Sequence, residues 1–249
     1  MDFQIHHLEV VDSTNTRAGR LSKQGACEGL VVRADRQTSG KGRRGRSWES
    51  AETGNLYFSL LLRPQLSSQK APMLTLVMAY SIAKVIRTSL LPVQIKWPND
   101  LTYAGKKLCG ILTEMHLNEE KIEDIVVGVG VNVNGADFPE ELQKKATSLL
   151  RQLKRRVDED LLLERILQEF RQQYQTFQQV QDLSFLQDEY NEWLVNCKRE
   201  VRILTPGQEY EGLALGINER GELLVQKADG GVEAVYAGEV SVRCASGYI

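Results

Sequence analysis

Residues Gln37 to Trp48 combine glycines with cations and contain no acidic side chain. The stretch holds three glycines and four lysine or arginine residues. Glycines let the backbone approach a ligand closely, and clustered cations repel one another until an anion lies among them. The composition predicts a loop that closes over a phosphate-bearing ligand.

The same stretch contains the pattern Gly-x-Gly-x-x-Gly from Gly40 to Gly45, which is also found in dinucleotide-binding domains. That interpretation requires a helix directly after the last glycine, but the apolar run Leu56–Leu62 predicts a strand. No Lys-Ser or Lys-Thr pair follows in register, so the stretch is not a P-loop either. A basic surface loop that contacts nucleic acid is the remaining alternative.

The segment Lys96 to Leu101, with the sequence KWPNDL, is a second candidate. Trp97 and Pro98 form a stiff apolar corner, and the amide of Asn99 and the carboxylate of Asp100 follow it. One interpretation is a turn that ends a strand. The other is a site in which the carboxylate holds Mg²⁺ or a ligand ammonium group near phosphates.

Lys106 and Lys107 open a third candidate, an apolar strand. Strict alternation gives two faces, the first with Lys107, Cys109 and Ile111 and the second with Leu108, Gly110 and Leu112. One of the two lysines therefore points inward, where it needs an anionic partner or a lowered pKa. A lysine at the strand edge that reaches solvent is the alternative. Gly110 in mid-strand indicates close approach by a ligand.

Two further groups of polar residues are less specific. The run Ser13, Thr14 and Asn15 either caps a helix or binds a ligand, and the sequence favours neither. The three histidines have no acid or nucleophile partner at a diagnostic spacing, so they are predicted to be structural or exposed.

Both strands and helices are predicted to position these groups. Strands are predicted over 3–11, 30–34, 56–62 and 93–97, with a short strand after Asp100 and a hairpin over 107–117 and 121–133. Helices are predicted from about 13 to 23, over 73–90 and within 139–196, where Asp158 caps the longest. The glycines near the end of the hairpin let a helix or ligand lie close to the sheet. Five short strands after residue 197 predict a small barrel. The expected fold is α+β, with a mixed sheet and packed helices in 1–196 and a small β-barrel in 197–249.

Composition narrows the class of protein. The net charge of −2 argues against a molecule that binds nucleic acid over its whole surface, so any anion site is local. The four cysteines are far apart and form no Cys-x-x-Cys pair, which favours reduced thiols and a cytoplasmic protein. The sequence predicts no signal peptide, no transmembrane helix and no membrane association.

Taken together and in this order, the motifs resemble the bacterial biotin–protein ligases. The matching stretches are 13–15, 37–48, 55–57, 96–101, 107–112, 128–132 and 238–243. The resemblance implies a catalytic domain of the class II synthetase type and an SH3-like C-terminal barrel. It also implies that biotin and ATP, with Mg²⁺ assisting, form biotinyl-5′-AMP and pyrophosphate. A lysine of a biotin carboxyl carrier protein, from acetyl-CoA carboxylase or a similar enzyme, then takes the biotin and releases AMP.

The resemblance also implies roles for individual residues. The residues expected to bind biotin are Ser13, Thr14, Asn15, Gln37, Lys41, Gly42, Arg43 and Lys107. Binding of ATP and the adenylate falls to Arg43, Trp48, Asn99, Asp100, Gly110 and Asn132, and Asp100 is also the expected metal ligand. Lys107 and Arg43 are the expected catalytic residues. Glu239 and Arg243 of the small barrel are expected to approach the nucleotide or the carrier.

The sequence departs from the family pattern at two places. Lys41 stands where the family usually has arginine, so the charge is kept but the planar bidentate fork is lost. Many members carry an N-terminal DNA-binding domain; here the first ligase strand begins at Phe3, so a ligase without that domain, and no DNA partner, is expected.

The sequence leaves two alternative functions and one oligomeric state, a homodimer, to be considered. A lipoate–protein ligase or transferase of the same broad fold is one alternative, although the run of consecutive glycines typical of those enzymes is missing from 43–46. A nucleic-acid-binding module that uses the basic loop is the other, and the net charge of −2 counts against it. A sheet edge in the large domain could pair two copies into a homodimer.

Overall fold

The computed structural model describes residues 1–50, 53–205, 208–237 and 241–244, and within these ranges the chain forms two sheets with helices. The strands of the larger sheet are β1 (Gln4–Val11), β2 (Leu30–Gln37), β3 (Leu56–Leu62), β4 (Gln94–Lys96), β5 (Asp100–Tyr103), β6 (Lys106–Asn118) and β7 (Lys121–Val131). Those of the smaller sheet are β8 (Arg199–Thr205), β9 (Gln208–Ile217), β10 (Leu223–Gln226), β11 (Val232–Val235) and β12 (Ser241–Cys244). The helices are α1 (Thr14–Lys23), α2 (Met73–Ser89), α3 (Glu140–Gln143), α4 (Leu149–Leu153), α5 (Glu159–Val180) and α6 (Gln187–Trp193).

The larger sheet is mixed, as predicted. Its strand order is β1-β2-β3-β7-β6-β5-β4. β1 and β2 run parallel, and every other neighbouring pair is antiparallel. The parallel pair requires a crossover, which α1 provides. The α+β class is therefore confirmed.

The two faces of this sheet are covered differently. On one face, α2 and α5 bury the main apolar cluster, which also includes residues of the smaller sheet such as Val201 and Leu223. On the other face, α1 packs through Ala18 against Leu61 and Val126 in a much smaller cluster. Most apolar burial thus lies on one side of the sheet. The α1 side leaves room for a site.

The predicted elements agree closely with the observed ones, and β3 has the predicted bounds. The Asp158 carboxylate accepts a hydrogen bond from the Leu161 backbone N–H, so this residue caps the longest helix as predicted. β2 runs three residues further than predicted, to Gln37. The strand therefore carries the chain directly to the start of the glycine- and arginine-rich loop.

The smaller sheet is antiparallel, with the order β11-β10-β9-β8-β12. Among the described residues no pairing joins β11 to β12, so the predicted barrel is not closed. Trp97 links the two sheets, because its indole Nε1 donates to the Gly221 carbonyl at 3.0 Å and its backbone N–H to Asn196 Oδ1 at 2.9 Å. The division of the chain at 196/197 stays a prediction. No helix in the described ranges is long and apolar enough to cross a membrane.

Asp124 on β7 ties α1 to the sheet. Its side chain is buried, at 2% exposure. It accepts hydrogen bonds from Ser22 of α1 and from His116 Nδ1 of β6, and Arg63 donates to the Ser22 hydroxyl at 2.9 Å. This network fits a structural role for His116, as predicted.

Replacing Asp124 with alanine is expected to lower the free energy of unfolding by about 2–3 kcal/mol, because a charged acceptor of two buried hydrogen bonds is lost. Urea unfolding measures this change. The adjacent Glu123→Ala is the control, because that side chain is exposed. Equal stability of the two variants would contradict a structural role for the network.

Candidate active site

The candidate site lies on the α1 face of the larger sheet, where the side chains change from apolar to small or polar. Along β3, Leu61 packs under α1, and two residues earlier the same face carries Ser59. Along β7, Val126 packs under α1, and Gly128 and Gly130 follow on the same face. Period-two alternation thus opens a hollow beyond the N-terminus of α1.

The run Ser13, Thr14 and Asn15 borders this hollow. Ser13 occupies the N-cap position, but in the described structure its side chain caps no helix N–H. Thr14 instead donates to Gln37 Oε1 through its backbone N–H at 2.8 Å and its hydroxyl at 3.2 Å. Of the two interpretations left open by the sequence, a helix cap does not describe these side chains.

Asn15 is held on all sides. Its Nδ2 donates to Glu114 Oε2 at 2.8 Å and to the Leu112 carbonyl at 3.3 Å, and its Oδ1 accepts from Ser59 Oγ at 2.6 Å. Glu114 also pairs with Lys41 Nζ at 3.3 Å. One carboxylate therefore connects α1 to the loop.

Sequence reasoning missed Ser59 and Glu114. Alternation along β6 was the available signal for Glu114, because it places that residue on the face of Gly110 and Leu112. Ser59 lies within an apolar strand and had no comparable signal.

The loop from 38 to 48 is folded back on itself. Lys41 and Ser47 form a β-bridge, and the Gly42 N–H donates to the Arg46 carbonyl at 2.7 Å. Arg44, with φ of 59°, and Gly45, with φ of 72°, make the reversal. At the base of the loop, Gln37 Nε2 donates to Ser50 Oγ at 3.0 Å, and that hydroxyl donates to the Trp48 carbonyl.

Arg43 connects the loop to two distant segments. Its Nη1 donates to Asn99 Oδ1 at 3.0 Å, and its Nη2 donates to the Ala237 carbonyl at 2.7 Å. Asn99 is oriented in turn, since its Nδ2 donates to the Ile111 carbonyl. Burial lowers the pKa of Arg43, and the charge of Asp100 opposes that effect. An arginine remains charged at neutral pH, so the loop keeps a cation here.

Lys107 is the inward lysine. Its Nζ lies 2.7 Å from Asp100 Oδ1, so the predicted anionic partner is present, and Lys106 instead reaches the Gln143 carbonyl from an exposed position. The predicted faces of Lys107 and Leu108 are wrong. The pairing of β5 with β6 skips Leu108, which forms a β-bulge.

The bulge turns Lys107 onto the face of Gly110, where its Nζ lies 3.1 Å from the position of an added Cβ. Leu108 joins Cys109 in the core instead. Burial raises the pKa of the Cys109 thiol. That thiol therefore stays protonated and is not a nucleophile.

Trp48 lies against paired glycines. Gly110 and Gly130 are directly opposite each other in β6 and β7, and the indole of Trp48 is seated over both. Lys107 Nζ lies 5.1 Å from the centre of the indole ring, within the range of a cation–π contact.

Two cavities meet at this indole. The first, about 50 Å³ in volume, is lined by Ser13, Thr14, Asn15, Gln37, Lys41, Gly42, Arg43, Trp48, Asn99, Lys107 and Gly110, among others. The second, about 510 Å³, is lined by Trp48, Asp100, Lys107 and Asn132 together with an apolar wall formed by Phe138, Pro139 and Leu142. Trp48 and Lys107 line both cavities. The residues singled out from the sequence thus form two adjoining chambers.

The remaining predicted residues are less fully placed. Asn132 is buried, and its Nδ2 donates to the Thr147 carbonyl at 3.0 Å. Glu239 lies outside the described residues. The backbone of Arg243 lies in β12 opposite Arg202.

The donors for a metal ion are sparse. The described residues contain no group of three His, Cys, Asp or Glu side chains that could hold one. Glu49, Asp100 and Asp137 line the second cavity, but they do not converge as such a group. A single carboxylate such as that of Asp100 suits Mg²⁺ only in the mode in which substrate phosphates supply further ligands.

Comparison with known proteins identifies the relatives of this chain. Residues 7–132 match the biotin/lipoate A/B protein ligase family, and residues 197–243 match the biotin protein ligase C-terminal domain. The chain is 34% identical over 245 residues to the bifunctional ligase/repressor BirA of Bacillus spizizenii, covering 97% of this chain and 75% of that protein. It is 30% identical over 242 residues to the biotin–[acetyl-CoA-carboxylase] ligase of Paracoccus denitrificans, covering 94% of this chain and 98% of that protein.

The fold is similar to that of a solved structure from the same class. The biotin protein ligase from Aquifex aeolicus, in complex with biotin and ATP, matches with a TM-score of 0.85 and 30% identity, over 97% of this chain and 99% of that one. The chain belongs to the biotin/lipoate A/B protein ligase family, in the branch formed by the biotin–protein ligases.

Proposed function

We propose that the first cavity binds biotin, that the second binds ATP, and that their reacting ends meet at Lys107. The chain is an ATP-dependent biotin–protein ligase, with biotin and ATP as its substrates. One observation supports this assignment of biotin and ATP to separate cavities: among the described residues, Lys107 is the charged side chain that lines both cavities. Two anions that must react need a cation between them.

The first step forms the adenylate. An oxygen of the biotin carboxylate attacks the α-phosphorus of ATP, a new P–O bond forms, and pyrophosphate leaves. Lys107 screens the repulsion between carboxylate and phosphate and stabilises the charge on the transferring phosphoryl oxygens. Asp100, at 2.7 Å from Lys107, keeps the ammonium group aimed into the junction.

The second step transfers biotin to a lysine of a biotin carboxyl carrier protein, the acceptor that the family implies. The neutral amine attacks the carbonyl carbon of the mixed anhydride, an amide forms, and AMP leaves with the bridging oxygen. The attacking amine loses its proton in this step.

At the biotin end, Thr14, Asn15 and Gln37 form a pre-oriented polar wall. The hydrogen bond from the Thr14 N–H to Gln37 and that from the Ser59 hydroxyl to Asn15 fix the rotamers before the ligand arrives. Within the described residues, the Ser13 side chain caps no helix N–H, and the Gln37 amide donates through one N–H to Ser50. Ser13 and the second N–H of the Gln37 amide can therefore serve the ligand. We expect these groups to bind the polar head group of biotin.

The loop from 38 to 48 acts as a lid. A cavity of about 50 Å³ holds only a few water molecules. A ligand the size of biotin therefore needs the loop to open and then to close over it. Lys41, Gly42 and Arg43 lie on this loop, and closure excludes water from an intermediate that hydrolyses readily.

At the nucleotide end, Trp48 offers an aromatic face, and Asn132 lies beside it in the second cavity. Arg43 and Asn99, which are hydrogen-bonded to each other, line the first cavity, and we expect them to reach the phosphate end of the adenylate from there. Asp100 is the residue that would hold Mg²⁺ together with the phosphates of ATP. When bound, the ion would neutralise part of the phosphate charge.

The assembly and location are also proposals. β5 pairs with β6 only as far as Gly110, so the outer edge of β6 from Leu112 to Asn118 has no partner strand among the described residues. An unpaired edge can take a strand from a second copy, and a homodimer is our expectation. The free thiols of Cys27, Cys109 and Cys197 favour a reducing, cytoplasmic location.

Pyrophosphate release tests the proposed function. The protein is incubated with ATP and Mg²⁺, once with biotin and once with lipoate. We expect release that depends on biotin and none with lipoate. Release with lipoate alone would contradict the assignment of the first cavity.

A further inference from the structure

We infer that two glycines of β7 each set the depth of one substrate chamber, Gly128 for biotin and Gly130 for the nucleotide. Both act as positioning residues through a side chain that lies above them. This inference rests on the proposed division of the substrates between the two cavities. It assigns a role to positions that carry no functional group of their own.

Neither glycine is required by the backbone. Gly128 and Gly130 do not have a positive φ, so an L residue could adopt either conformation. Both lie in regular antiparallel ladders with β3 and β6 on either side. Val129 between them points to the opposite face and packs in the main core. A side chain at either position is excluded because atoms of another residue already occupy the space above it.

Above Gly128 lies the biotin-side polar wall. A Cβ at this position would be 1.9 Å from Asn15 Oδ1 and 2.7 Å from its Cγ. Asn15 cannot move aside freely, because its amide is held by Ser59 at one end and by Glu114 and the Leu112 carbonyl at the other. An alanine here must therefore displace the N-terminus of α1.

Above Gly130 lies the indole that separates the two cavities. A Cβ at this position would be 2.5 Å from both Nε1 and Cε2 of Trp48. The Trp48 Nε1 is buried and, among the described residues, donates to no acceptor. An alanine would lift the ring off the strand and disturb its contact with Lys107, whose Nζ lies 5.1 Å from the ring centre at the junction of the chambers.

The two side chains belong to different elements, which makes the effects separable. Asn15 lies on α1 and lines only the first cavity, whereas Trp48 lies on the loop and also lines the second. Both glycines line the first cavity, so Gly130 reaches the nucleotide end only through the indole above it. Gly128 is thus coupled to the head-group end of the site, and Gly130 to the junction and, through Trp48, to the second cavity. The glycines are two residues apart on one strand, so each serves as the matched control for the other.

The experiment compares Gly128→Ala and Gly130→Ala with the unsubstituted protein in biotin-dependent pyrophosphate release, with calorimetry of biotin binding in the absence of ATP. We expect Gly128→Ala to weaken biotin binding by about 10- to 100-fold and to leave the KM for ATP nearly unchanged. Gly130→Ala should raise the KM for ATP by a similar factor, because the indole that it displaces also lines the second cavity.

Double variants separate steric displacement from general misfolding. If the alanine acts through the side chain above it, Gly128→Ala should add little in an Asn15→Ala background, and Gly130→Ala little in a Trp48→Ala background. Equal effects of both alanines on both substrates, or fully additive losses in the double variants, would overturn the inference. Absence of biotin-dependent release from the unsubstituted protein would instead contradict the proposed function.

Discussion

Replacing Lys107 with alanine is expected to lower the rate of biotinyl-adenylate formation by about 10²- to 10³-fold while the fold is kept. Lys107 is the cation at the junction of the two cavities, and no other charged side chain of the described residues lines both. Without it, the electrostatic repulsion between the carboxylate of biotin and the α-phosphate of ATP is unscreened, and Asp100 adds a further negative charge. Single-turnover pyrophosphate release measures the rate.

Lys106→Ala is the matched control for this prediction. It removes the same functional group one position earlier, where the ammonium donates to the Gln143 carbonyl and Lys106 is not among the described residues that line either cavity. Its rate is expected to stay close to that of the unsubstituted protein. Normal adenylate formation by Lys107→Ala would remove the catalytic assignment. Thermal melting of both variants verifies that the fold is retained.

Replacing Arg43 with glycine is expected to release the adenylate to solvent. The substitution removes the hydrogen bonds to Asn99 and to the Ala237 carbonyl. Hydrogen bonds from a charged donor contribute about 1.5–3 kcal/mol each, so loss of even one shifts the loop towards the open state by at least about tenfold. Rapid filtration after adenylate formation measures how long the intermediate is retained.

Arg44→Gly is the control for Arg43. It removes a neighbouring charge from the same loop, and Arg44 is exposed with φ of 59°, a conformation that glycine adopts without strain. Retention by this variant should match that of the unsubstituted protein. If Arg43→Gly also retains the adenylate normally, the loop does not act as a lid.

Local sequence patterns predicted most of the secondary structure. β3 is a continuous apolar run between turn residues, and its bounds are those predicted. α5 begins directly after the predicted cap at Asp158. These signals are local, because each depends on residues that lie close together in the sequence. The α+β class follows from the order of the elements.

The interior of the site was harder to predict, because its contacts join distant parts of the chain. Arg43 and Ala237 are 194 positions apart, and Asn15 and Glu114 are 99 apart. The bulge at Leu108 depends on the register between β5 and β6, which alternation within one strand cannot reveal. The face of Lys107 was therefore assigned wrongly, although the prediction that one of Lys106 and Lys107 points inward was correct.

Glycines near the end of β7 were predicted to admit a helix or a ligand. The structure places the first turn of α1, through Asn15, over one of them and the indole of Trp48 over the other. Sequence alone could indicate that something lies close to the sheet there. Only the three-dimensional packing shows that two different elements, α1 and the loop, lie over glycines that are two residues apart in β7.

Isotope transfer from biotin to AMP tests whether the carboxylate of biotin attacks the α-phosphorus of ATP. The protein is supplied with biotin labelled with ¹⁸O in its carboxylate, with ATP, Mg²⁺ and a carrier protein, and the released AMP is analysed by mass spectrometry. Attack of the carboxylate on the α-phosphorus places one labelled oxygen in AMP when the carrier lysine displaces it. We predict AMP that carries one ¹⁸O atom. Unlabelled AMP, or release of ADP and phosphate in place of AMP and pyrophosphate, would contradict a biotinyl-adenylate intermediate.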